Sequence, residues 1–109
     1  MLKAREFIVM LTPTDRYRHR HLRLKREVLS FAVQYETMFE EKWLPVVRYD
    51  TRHGFAHRDL FDNIGNSQKT PMFTEGYNEA LTFAEFDIKS NWKAYKKVFL
   101  EDRADEGTE

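Results

Sequence analysis

The chain has no cysteine, which excludes disulfide staples, thiolate nucleophiles and cysteine-based zinc sites together. No apolar run approaches the length of a membrane span, and the first residues, Met1 to Phe7, lack the hydrophobic stretch of a secretory leader. A soluble, cytoplasmic protein with no membrane partner is therefore expected. Net charge is also absent, with 18 basic residues against 18 acidic ones. There is no internal repeat, no Gly-rich phosphate loop and no nucleophile-elbow motif.

What is present is unevenly placed. At 109 residues the chain is one domain, large enough for a core without staples. Aromatics make up 15%, apolar residues only 41% and charged residues 33%, which predicts a small core under a busy surface. The charge is segregated. Residues 16–26 carry Arg16, Arg18, Arg20, Arg23, Lys25 and Arg26 with His19 and His21, a phosphate-binding footprint with Tyr17 available for stacking. Residues 101–109 are acidic and are expected to form a disordered tail beyond a domain of residues 1–100.

Hydrophobic periodicity gives the coarse fold. Residues 7–11 form a short apolar run ended by Thr12-Pro13-Thr14-Asp15, read as a buried strand followed by a turn. The basic segment reads as a loop or strand extension. From residue 27 to 37, Leu29, Phe31, Val33 and Tyr35 alternate with Ser30, Gln34 and Glu36, predicting a half-buried strand. Residues 62–71 are rich in turn formers. Leu81, Ala84, Ile88, Trp92, Tyr95 and Phe99 then step by three or four, the stripe of an amphipathic helix with Asn78 as N-cap. The expected class is α+β: an antiparallel meander of about four strands packed on one long C-terminal helix. Pro45, unable to donate to a ladder, suggests an exposed sheet edge and hence a homodimer.

The densest chemistry lies in residues 46–61. Two β-prone runs, 46–51 and 56–61, flank a Gly-containing tetrad, the sequence form of a β-hairpin. Alternation puts Arg48, Asp50 and Arg52 on one face. A four-residue loop places Arg52 opposite His57 and Asp50 opposite Asp59, so that His57, Asp59 and Phe61 join the same face. Val47, Tyr49, Thr51, Arg58 and Leu60 form the other, more apolar face. An odd-length loop would split the cluster. Every basic position here is Arg rather than Lys, which suits bidentate recognition of phosphate or carboxylate. Cross-strand Arg–Asp pairs on a solvated sheet face are the plainer alternative.

Three chemistries fit this set. Cleavage of RNA by its own 2′-hydroxyl needs a proton acceptor, a proton donor and positive charge on the phosphorane. His57 with Asp59 or Asp50 supplies the first two, Arg48 and Arg52 the third, and Tyr49 or His53 an auxiliary proton carrier. No metal or other cofactor is required by that scheme. A non-catalytic nucleic-acid or protein-binding module is the second reading. A small metal-dependent hydrolase using His53, His57 and Asp59 is the third, opposed by the surrounding guanidiniums.

Residues 43–61, with Arg48-Tyr49-Asp50 followed by His53 and His57, resemble the corresponding segment of the TumE-like toxins, small prokaryotic proteins encoded in toxin–antitoxin pairs. Thr51 stands where that family's pattern has Asn. The resemblance implies a toxin-like RNA-binding protein with ribonuclease activity, RNA as its target and a cognate antitoxin as partner.

Overall fold

The computed structural model describes residues 1–107, with side chains described through Glu101. The acidic segment 101–109 therefore falls almost wholly outside the described side chains. Six strands, β1 (Leu2–Thr12), β2 (Asp15–Leu24), β3 (Glu27–Phe39), β4 (Lys42–Asp50), β5 (His57–Phe61) and β6 (Ser67–Pro71), precede one helix, α1 (Tyr77–Gly107). The strands form a single antiparallel sheet in the order β1-β2-β3-β4-β5-β6, a meander in which each strand pairs with the next. The class is α+β as expected, with six strands instead of four.

The two extra strands have identifiable causes. The basic segment is β2, and its turn into β3 is made by Lys25 and Arg26, with Lys25 at φ 54°. No Gly, Asn or Pro marks that turn in the sequence, so composition gives no sign of it. Asn78, the expected N-cap, instead clamps the turn: its Oδ1 accepts from Val28 N at 2.8 Å and its Nδ2 donates to Arg26 O at 2.7 Å. β6 is exposed along its whole length and polar, the profile of an edge strand without the alternation that reveals half-buried ones.

The helix covers one face of the sheet. Phe31, Val33, Tyr35, Val47 and Tyr49 are buried against Ala80, Leu81, Ala84, Ile88 and Phe99. The small side chains of Ala80 and Ala84 let the helix approach closely. Trp92 and Tyr95 of the expected stripe are partly buried against the same cluster. In β3 the expected alternation holds from Phe31 onward, but Leu29 is exposed and Val28 is buried. Leu29 is the extra residue of a β-bulge, since Leu22 pairs with Ser30 and Arg23 with Val28, and the bulge reverses the alternation. Pro45 lies beside a second bulge, with Tyr35 opposite Val47 and Glu36 opposite Pro45. β4 is thus an interior strand and not the sheet's edge, although its first half extends past the end of β5. Pro45 lies in that overhanging half, paired with Glu36 of β3 and with no residue of β5.

Candidate functional site

The face away from the helix holds the expected cluster, with a corrected register. Asp50 pairs with His57 and Arg48 with Asp59, two residues away from the expected pairing, because the connection spans residues 51–56. A slip of two preserves the faces. Arg48, Asp50, His57 and Asp59 therefore share the open face, while Arg52 leaves the strand and sits in a short 3-10 turn, Arg52–Gly54. His53 in that turn has φ 73° and Gly54 φ 84°, so two successive left-handed residues reverse the chain and hold Arg52 and His53 in solvent.

Pairing extends the site across the whole sheet. One row runs Ile8, Arg18, Gln34, Arg48, Asp59, Lys69, and the next runs Glu6, Arg20, Ala32, Asp50, His57, Pro71. Gln34, Ala32 and Lys69 carried no signal in the sequence alone, because only the inter-strand register brings them beside the Arg residues. Arg48 Nε donates to Gln34 Oε1 at 2.6 Å, Gln34 Nε2 donates to Glu36, and Arg16 Nε donates to Glu36 Oε1 at 2.7 Å. Arg16 also stacks 4.0 Å over the Trp43 ring, and Arg48 lies 5.0 Å from the Phe61 centroid. By contrast, Arg18, Arg20 and Arg52 are exposed and engage no carboxylate side chain among the described residues. Ala32 floors a groove of about 410 Å³ between Arg20, Arg48, Asp50 and Arg52. A second groove of about 440 Å³ adjoins it, bordered by Ile8, Arg18, Arg20, Gln34 and Arg48.

His57 is the buried member of this face, 1% exposed, with Asp50 and Asp59 at 7% and 6%. Its Nε2 lies 2.9 Å from Asp50 Oδ1 and 3.4 Å from Asp59 Oδ2, and its Nδ1 lies 3.2 Å from Phe55 O. All three neighbours are protein oxygens, so each ring nitrogen faces protein and not solvent. Asp59 Oδ1 accepts from Lys69 Nζ at 3.0 Å, and Asp50 Oδ1 also accepts from Arg52 N at 3.0 Å. The His53 ring centroid is 6.4 Å from that of His57, outside the hydrogen-bonded group.

Several expected members stand elsewhere. Tyr49 projects to the helix side, where it is 2% exposed and donates to Asp87 Oδ2 at 2.6 Å. Burial first, then its bond to Asp87, pushes the Tyr49 phenol well above the ordinary range, which removes it as a proton carrier at this face. Tyr17 is 4% exposed on the same side and is closed to base stacking. Burial and neighbouring positive charges, among them Arg5, push His19 and His21 below the ordinary imidazole range, so neither adds to the cationic surface. His19 Nδ1 lies 3.0 Å from Glu85 Oε2, but off the line of a hydrogen bond. Arg23, Lys25 and Arg26 are exposed at the far end of the β2–β3 hairpin.

Two carboxylates that the sequence did not single out organise the helix side. Asp15, 2% exposed, accepts from Thr12, Tyr35, Thr37 and Lys96 at 2.6, 2.7, 2.8 and 3.1 Å. Burial alone would raise its pKa, but these four donors outweigh burial and hold it at about 2. Asp87 accepts from Tyr49, from Tyr95 and, at 2.7 Å, from Asn91.

A family model described as a domain of unknown function (DUF7718) matches residues 2–105. No curated protein and no solved structure matches the chain significantly. Nothing in these comparisons links it to TumE-like toxins.

Proposed function

The chain belongs to that DUF7718 family, and we propose that it is a small RNA-binding protein whose open sheet face grips the phosphate backbone of a single strand. The observation that carries this reading is that Arg18, Arg20 and Arg52 pair with no carboxylate side chain among the described residues, Arg20 and Arg52 lining the Ala32 groove and Arg18 the groove that adjoins it. Exposed guanidiniums lacking carboxylate partners keep their donors for an anion, and their planar forks match phosphate oxygens bidentately. Arg48 differs, being oriented by Gln34 and Phe61 so that its terminal nitrogens remain available. RNA is the polyanion chosen because residues 43–61 resemble the TumE-like toxins.

Binding is favoured over cleavage. His57, the acid–base candidate, is buried, and each of its nitrogens faces a protein oxygen instead of the groove. A general acid or base must come within hydrogen-bond reach of the proton it moves. The Asp50–His57–Asp59 group is therefore read as a support that fixes β4 against β5.

The test is anisotropy of a labelled RNA oligonucleotide across a salt series, with the same mixtures run on a denaturing gel. Salt-sensitive binding with intact RNA is expected. Cleavage by wild type that disappears in a folded His57→Ala variant restores the ribonuclease reading. Absence of any salt-sensitive binding removes the RNA reading altogether.

A further inference from the structure

We propose that Asp50, His57 and Asp59 form a binding site for one divalent transition cation of the zinc type. This goes beyond RNA binding and does not depend on it.

The geometry is the first support. His57 Nε2 lies 2.9 Å from Asp50 Oδ1 and 3.4 Å from Asp59 Oδ2, and the ligand atoms offered by the three residues lie within 4.8 Å of one another. A tetrahedral ion with metal–ligand bonds of about 2.0–2.2 Å spaces its ligand atoms by roughly 3.3–3.6 Å. Small side-chain adjustments would therefore bring all three donors onto one ion.

The second support is independent of that convergence: the partners around the three side chains are those that orient metal ligands. His57 Nδ1 is directed at the backbone oxygen of Phe55, 3.2 Å away. A hydrogen on Nδ1 leaves Nε2 as the coordinating atom, the arrangement that most protein imidazoles adopt around a metal. Lys69 binds Asp59 through Oδ1, which leaves Oδ2 turned toward His57. The Arg52 amide fixes the Asp50 carboxylate. Lys69 is the competing cation here, and its side chain is 44% exposed, so it can withdraw into solvent.

Burial is the third support. Two carboxylates almost out of solvent require a positive charge among them. Lys69 Nζ, 3.0 Å from Asp59 Oδ1, is the cation at this pair in the metal-free state. Metal entry is then an exchange of cations, in which the ion takes the Nε2 lone pair and Lys69 withdraws to solvent. Two carboxylates neutralise the ion, and one imidazole with two carboxylates is a ligand set suited to zinc and its neighbours. Asp50 also borders the Ala32 groove, so the ion would lie at its rim.

The experiment uses the full chain, freed of metal by chelator and dialysed, then titrated with Zn²⁺ by calorimetry and with Co²⁺ by visible absorption. One ion per chain is expected, with a raised Tm and a Co²⁺ spectrum of low-coordinate nitrogen and oxygen ligation. Asp50→Asn and Asp59→Asn preserve shape and are each expected to weaken Zn²⁺ binding at least about tenfold. Lys69→Ala removes the competing cation and is expected to tighten it, whereas His53→Ala leaves it unchanged. Should either Asn variant fail to fold, the imidazole resonances of wild type decide: His57 must shift at one equivalent of Zn²⁺ while His19, His21 and His53 stay in place. Absence of uptake by the folded wild type overturns the site, as does uptake that survives both Asn variants or that moves another histidine instead.

Discussion

The two faces of this sheet both carry polar side chains but use them differently. Under the helix the buried carboxylates of Asp15 and Asp87 are each closed by at least three donors. On the open face, Arg18, Arg20 and Arg52 reach no carboxylate side chain among the described residues. The difference separates polar groups that hold the fold from those the fold merely carries. A buried carboxylate must be satisfied or it costs stability, so Asp15 and Asp87 are explained by packing alone. Exposed, unpaired guanidiniums contribute little to stability, and their place along two adjoining grooves is what the proposed anionic ligand accounts for.

Substitution should break the comparison most sharply at Asp15. Asp15→Ala leaves the buried hydroxyls of Tyr35 and Thr37 without their acceptor, together with an unpaired Lys96. A loss of about 3–5 kcal/mol is expected in urea unfolding. Acid should produce a related but smaller effect. The folded pKa of Asp15 is about 2 against an ordinary 3.8. Its contribution is therefore complete above pH 3.8 and fades as pH falls toward 2, amounting to about 2 kcal/mol. Stability measured across that window should fall in wild type, with a shallower fall in Asp15→Asn.

His19 gives a weaker dependence at higher pH. Burial lowers its pKa, so the unfolded chain binds the extra proton first, and stability declines as pH drops below 6.5. A His19→Gln variant should flatten that part of the profile. The smallest effect belongs to the open face: Arg18→Ala and Arg20→Ala should each change stability by less than about 0.5 kcal/mol. A larger loss in either would show that these residues hold the fold after all.

The sequence disclosed the open face unequally. The even slip of the hairpin register kept Arg48, Asp50, His57 and Asp59 together although the loop was longer than the Gly-containing tetrad implied. β2 was obscured because Lys25 and Arg26 turn the chain without a turn-forming residue. Leu29 was misplaced because a bulge is invisible to period-two alternation. Asp15 stood inside a Thr-Pro-Thr-Asp turn signal, and Asp87 within an apolar helical stripe. Each draws most of its partners from residues 8 to 81 positions away. Lys69 was hidden in a polar edge strand whose composition matches a loop.

The central claim is that the unpaired arginines of the open face bind a polyanion without supporting the fold. Its most direct test is the salt dependence of RNA binding by wild type and by the Arg18→Ala/Arg20→Ala double variant. The account expects equal unfolding midpoints, weaker binding and a log–log salt slope shallower by about 1.4, corresponding to two lost phosphate contacts on a single strand. Unchanged affinity and slope in a fully folded double variant would contradict it.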